Sequence, residues 1–215
     1  TRLSVTKHRI GSKNGSDEAT LKIIQLSDLH LNEISDYEND VARIVNKLNP
    51  DILVITGDSI ERDSKLPFLN EFLSLIKSEM IKFSTLGNWE HWARVNIIEL
   101  ETIYNRHNCQ LLVNKSIVLK HGQKEILITG LEDFTEGNPR IGHALENLEP
   151  KKNHLILEHS PQYFDKMFED IKPRIEVVIS GENVRISTEL ETLSTFIALE
   201  QDPVRRQAMV EMAMS

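Results

Sequence analysis

D-I-L-V-I-T-G-D, residues 51–58, decides how this chain is read. Residues 51–56 form a continuous, largely β-branched run with no alternation of polar and apolar positions. Such a strand is buried on both faces, as at the centre of a helix-covered sheet. Gly57 and Asp58 close it with a tight turn and a carboxylate. That puts an acid at the carboxyl end of the strand, where open α/β sheets bind ligands.

Working outward, residues 35–48 carry Val41, Ile44, Val45 and Leu48 on a helical stripe that Asn49-Pro50 stops. Residues 21–26 are another short apolar run of strand length, and residues 3–5 read as an edge strand. Downstream, Pro67 opens a helix, 81–86 is a strand, and 93–108 reads as a helix. Residues 116–119 and 125–128 form a hairpin around His121-Gly122-Gln123-Lys124. A helix over 141–148, a strand at 154–157, a helix at 163–170 and a strand at 175–179 follow. Strands alternating with helices predict an α/β protein, and the interposed hairpin predicts mixed sheets. The expected architecture is a layered β-sandwich of mixed sheets flanked by helices, spanning residues 1–181. Thr188-Glu189-Leu190-Glu191 is a capping box and Asp202-Pro203 a cap followed by proline. Residues 182–215 are therefore expected to be a helical C-terminal tail, with Leu190, Leu193, Phe196, Ile197 and Leu199 packing it onto the domain.

Four strands end in residues able to ligate a metal. Asp28 and His30 follow the first, Asp58 the second, Asn88 the third, and Glu158-His159-Ser160-Pro161 the fourth. Carboxylate, imidazole and amide oxygen donors together suit Mn, Fe, Zn or Mg. Asp28 and His30, two apart in a loop, can turn toward one ion, and the two oxygens of Asp58 can bridge a pair. Each piece alone is common in unrelated proteins; four in order, each at a strand end, are not.

Composition narrows the class. With 215 residues, 40% hydrophobic and 27% charged, the chain fits one globular α/β domain, alone or with a small appendage. A net charge of −8 and the lack of an aromatic-basic patch argue against nucleic acid as a partner. A single cysteine, Cys109, excludes an internal disulfide and thiolate zinc clusters, fits a reducing compartment, and reads as a small buried hydrophobe. No apolar run is long enough to span a bilayer, and the N-terminus has no signal-peptide core. The chain begins with Thr1 rather than Met, which leaves room for an upstream leader or anchor.

Ser-Asp-Leu-His (27–30), Thr-Gly-Asp (56–58), Leu-Gly-Asn (86–88) and His-Ser-Pro (159–161) resemble the successive motifs of the calcineurin-like metallophosphoesterases. The wording is most similar to the bacterial branch with membrane-anchored phosphoesterases and UDP-2,3-diacylglucosamine hydrolases. The resemblance covers about residues 3–181. It implies two divalent metal ions: Asp28 and His30 hold the first, Asp58 bridges, and Asn88 and His159 hold the second. It implies hydrolysis of a phosphate monoester, diester or pyrophosphate in a small or lipid-linked substrate, in the cytoplasm or at a membrane. Two positions depart from the family. Trp89 stands where the family has a histidine after the asparagine, leaving His91 as the candidate catalytic proton donor. Gly181-Glu182-Asn183-Val184-Arg185 stands in place of Gly-His-x-His, and no histidine follows His159. Glu182, Asn183 or water is left to complete the metal shells, while His121, His143 and His154 read as structural or exposed. The alternative expectation is a degenerate domain with an incomplete metal site, serving as a binding or scaffold module.

Overall fold

The computed structural model describes residues 4–10, 21–122, 124–148, 153–163, 177–180, 183–186 and 194–200. Two sheets are formed. The first runs, in spatial order, β1 (Ser4–Ile10), β11 (Ser194–Glu200), β2 (Leu21–Leu26), β3 (Ile52–Thr56), β4 (Ile81–Thr85) and β5 (Cys109–Leu111). Only the β1–β11 pair is antiparallel. The second runs β10 (Asn183–Ile186), β9 (Val177–Ser180), β8 (His154–Glu158), β7 (Lys124–Gly130) and β6 (Lys115–His121). Its centre is parallel and its outer pairs antiparallel. The predicted mixed α/β layers are thus present.

Strand periodicity explains the layers. Leu21, Ile23, Ile52, Val54 and Phe83 point to the second sheet and meet Leu112, Ile126, Ile128, Leu155 and Leu157. Ile24, Leu26, Leu53 and Ile55 point the other way, onto helices. Both faces of β3 are therefore buried, which is why its run is uninterrupted. Each such side chain contributes about 1.5–3 kcal/mol of burial. The covering helices are α1 (Asp36–Leu48), α2 (Leu66–Ser74) and α4 (Ile97–Arg106). In α1, Ser35 and Glu38 form a capping box, and Asn49 ends the helix in the left-handed region at φ 46°.

The largest correction concerns the tail. Residues 194–200 are not helical: they form β11, parallel to β2 and antiparallel to β1. Ser-Thr-Phe-Ile-Ala-Leu-Glu has apolar residues that fit either period. The unfilled ladder of β2 decides for strand, because a buried edge would leave amides and carbonyls unpaired. Residues 187–193 and 201–215, with the two predicted helix starts, lie outside the described residues, as does 164–170 of another predicted helix. The helix expected over 93–108 is shortened to α4, capped by Asn96, and a separate short helix, α3 (Asn88–Trp92), precedes it, with Arg94 at φ 51° between the two. The helix expected over 141–148 is reduced to α5 (Ile141–Ala144). No helix among the described residues is long and apolar enough to cross a membrane.

Candidate metal centre

Strands β2, β3 and β4 run parallel, so the loops that follow them gather at one edge. The loop after β2 is zipped to the loop after β3. Asp28 N–H donates to Gly57 O at 3.3 Å, His30 N–H to Asp58 O at 2.8 Å, and Leu31 N–H to Ser59 O at 3.0 Å. Asp28, His30 and Asp58 all have positive φ, 53°, 41° and 51°. That conformation is unfavourable for side-chain-bearing residues and concentrates at functional sites. It brings one donor atom from each of the three within 4.8 Å of the others.

Asp58 is 4% exposed and its two oxygens have different tasks. Oδ1 accepts the Trp89 N–H at 2.8 Å. Oδ2 lies 3.5 Å from His30 Nε2 and 3.5 Å from His159 Nε2. One carboxylate oxygen thus sits between two imidazoles that come from different sheets. Asn88 joins the group through Oδ1, 3.0 Å from His159 Nε2. All five residues expected as ligands are brought together.

The hydrogen bonding at His159 says what the cluster is suited to hold. Its Nδ1 is 2.8 Å from the Thr56 carbonyl oxygen, which only accepts, so Nδ1 carries the proton. In the neutral ring, Nε2 then turns its lone pair toward Asn88 Oδ1 and Asp58 Oδ2. Electron-rich atoms facing one another need a proton or a cation between them. A histidine whose other nitrogen donates to a backbone carbonyl is also the usual arrangement of a metal ligand. Burial, with Glu90 and Asp28 nearby, lifts the Asp58 carboxyl above the usual carboxylate range even against the pull of His159. A bound cation would displace that proton, so the donor set fits divalent metal.

Further residues hold the centre in place, and of these Glu90 and Glu132 carry no sequence signal. Glu90 is buried and accepts three backbone N–H groups: Asp58 at 2.9 Å, Ser59 at 2.7 Å and Gly87 at 2.8 Å. It locks the turn after β3 to the turn after β4. The two turns touch at their glycines. A Cβ on Gly57, whose φ is +81°, would meet Gly87 Cα at 2.6 Å and His159 Nδ1 at 2.9 Å. Trp89 forms a wall: its Nε1 donates to Glu61 O at 2.6 Å and its ring lies edge-on to His30, centroids 5.0 Å apart. Glu61 Oε2 is 3.8 Å from His30 Nδ1. His91 pairs with Glu132, Nε2 to Oε1 at 3.0 Å. His154 is buried and bonded to Thr129 Oγ1 at 2.8 Å, a structural role as expected. In the second sheet Ser180 of β9 is level with Glu158 of β8. The chain therefore leaves β9 beside His159; Gly181 and Glu182 lie outside the described residues.

Comparison with known proteins gives the same picture. The family described as calcineurin-like phosphoesterase matches residues 21–185. An uncharacterized metallophosphoesterase of Aquifex aeolicus (strain VF5) is 27% identical over 190 residues, 83% of this chain and 69% of that protein. The UDP-2,3-diacylglucosamine pyrophosphatase LpxG of Chlamydia muridarum (strain MoPn / Nigg) is 27% identical over 191 residues, 66% of this chain and 57% of that protein. This chain thus spans between half and three quarters of either relative. In fold alone, it is similar to the crystal structure of phosphopantetheinyl hydrolase from Mycobacterium tuberculosis, with TM-score 0.55 and 13% identity over 87% of this chain and 93% of that one.

Proposed function

This chain belongs to the calcineurin-like phosphoesterase family, and on that premise we propose that it hydrolyses a phosphate monoester, diester or pyrophosphate bond. Asp28 and His30 would hold one divalent ion, Asn88 and His159 a second, with Asp58 placed to serve both. The observation that carries the reading is Asp58 Oδ2, equidistant at 3.5 Å from His30 and His159. Ions of the Mn, Fe, Zn or Mg kind, when bound, supply Lewis acidity toward phosphoryl oxygens and acidify water. The chain's own groups do the rest. The Trp89 N–H fixes the Asp58 carboxylate, the Thr56 carbonyl fixes the His159 tautomer, and the Trp89 ring fixes the plane of His30. His91 supplies a proton to the leaving oxygen. By analogy with the Chlamydia relative, the substrate class extends to pyrophosphate-linked lipids, with membrane association as the accompanying expectation.

The test is hydrolysis of bis-p-nitrophenyl phosphate and p-nitrophenyl phosphate with added Mn²⁺, beside Asp58→Asn. The wild type turns over substrate only with metal, and the variant loses at least two orders of magnitude. Full activity and metal content in Asp58→Asn would reject the assignment. One feature favours a second reading, a binding module with an impaired site: the segment after β9 offers Glu182 and Asn183 where the family has histidines. Metal binding without turnover of any phosphate ester would select it.

A further inference from the structure

We propose that Glu132 is a positioning residue that turns His91 into the leaving-group acid, replacing the histidine whose place Trp89 occupies; this rests on the phosphoesterase reading above. His91 and Asn88 are three residues apart on α3 and so share a face. His91 Nε2 lies 3.0 Å from Glu132 Oε1. Glu132 comes from the loop between β7 and α5, which closes the same rim. The next residue, Asp133, accepts a hydrogen bond from Ser160, the neighbour of His159. The side chains of His91 and Glu132 are 29% and 17% exposed, restrained yet open to a substrate.

The loop is built to present this carboxylate. Asn114 Oδ1 accepts the N–H groups of Glu132 at 3.3 Å and Arg140 at 2.8 Å. Asp133 Oδ2 accepts those of Thr135 and Glu136, both at 2.8 Å. Gly137 has no side chain, and the Glu132 stem passes through that space: a Cβ there would meet Glu132 Cδ at 2.9 Å and Asp133 O at 2.7 Å.

The chemistry follows from which nitrogen is taken. Nε2–H donates to Glu132, which fixes the ring, so in the protonated ring Nδ1–H is the mobile proton. As the bond from phosphorus to the leaving group breaks, its electron pair stays on oxygen. That oxygen takes the Nδ1 proton, leaving a neutral imidazole that regains a proton from solvent. Glu132 keeps the Nε2 proton in place throughout.

The experiment is a leaving-group series: aryl phosphodiesters whose phenols span pKa about 7 to 10, turned over with Mn²⁺. Wild type, His91→Gln, Glu132→Gln, Glu132→Asp and the double Gln variant are compared, with Mn²⁺ binding measured by calorimetry. A general acid contributes about 10²–10⁴-fold, mostly for poor leaving groups. Both single Gln variants should lose about 100-fold on the poorest leaving group and under about tenfold on p-nitrophenolate. The double variant should be no worse than His91→Gln, because the pair acts as a unit. Glu132→Asp should recover part of the loss, and Mn²⁺ stoichiometry should hold in every variant. Equal losses along the series, additive losses in the double variant, or lost Mn²⁺ binding would overturn the pairing. Wild-type inactivity on every ester would overturn the phosphoesterase reading and this inference with it. An active wild type whose variants keep its slope would overturn only this inference.

Discussion

Replacing Glu90 with glutamine removes one acceptor and one charge from the junction of two turns, and the cost can be worked from three bonds. Oε2 serves the Asp58 and Gly87 amides and Oε1 the Ser59 amide, all between 2.7 and 2.9 Å. The glutamine oxygen keeps the first two as neutral bonds, each weaker by about 1 kcal/mol than a charge-assisted one. Its NH₂ then faces the Ser59 N–H, donor against donor. Ser59 is fully buried and water cannot relieve it, so this adds about 1–3 kcal/mol. Loss of a charge that burial and the neighbouring Asp58 both disfavour gives back about 1 kcal/mol. The expected net is about 3 kcal/mol, a fall in Tm of roughly 6–12 °C for a chain of this size. Urea unfolding reads it as a lower midpoint at constant m. Destabilisation below about 1 kcal/mol would refute the view that Glu90 staples the centre.

Gly57→Ala combines a positive φ with contact against Gly87 and His159, so it should cost at least about 2 kcal/mol and weaken Mn²⁺ binding; unchanged binding in calorimetry would speak against the close approach. Lys82 is buried, its Nζ bonded at 2.9 Å to the carbonyls of Lys77, Met80 and His107, and Lys82→Met should destabilise by about 2–4 kcal/mol in urea. Burial lowers the folded pKa of Lys82 below 10.5, so between the two values the unfolded chain binds more protons and stability rises with pH. That contribution, at most about 1.4 kcal/mol per pH unit, should make the slope between pH 8 and pH 10 in urea curves more positive in the wild type than in Lys82→Met, the opposite contribution of the buried Cys109 thiol being present in both. Burial pushes the Cys109 thiol up to about 12, so native protein at pH 8 should stay unlabelled by Ellman's reagent until denaturant is added; rapid stoichiometric labelling would contradict the burial.

The centre was legible where chemistry coincides with strand ends. Asp28, His30, Asp58, Asn88 and His159 follow apolar runs, and parallel strands force such ends together. Glu90 and Glu132 were not legible, because their partners are backbone amides and a histidine distant in sequence, which leave no periodic trace. The order of layers followed from uninterrupted runs such as residues 52–56. The strand at 194–200 did not, since Phe196, Ile197 and Leu199 satisfy a helical stripe as well as a strand. Only the vacant edge of β2, a tertiary fact, separates the two. Asn96 could have announced the break before α4, because asparagine is a favoured cap.

The place of β11 bears on how the chain is made. It lies between β1 and β2, and among the described residues β1 pairs with it alone. On a translating ribosome, β2, β3 and β4 can meet early, but the open side of β2 waits for residues 194–200 to emerge. At about 5–20 residues per second the wait is roughly ten to thirty seconds. Throughout it β1 waits for the strand it pairs with here and the parallel ladder keeps a bare flank, so a nascent chain stalled before residue 194 is the form a holding chaperone would engage.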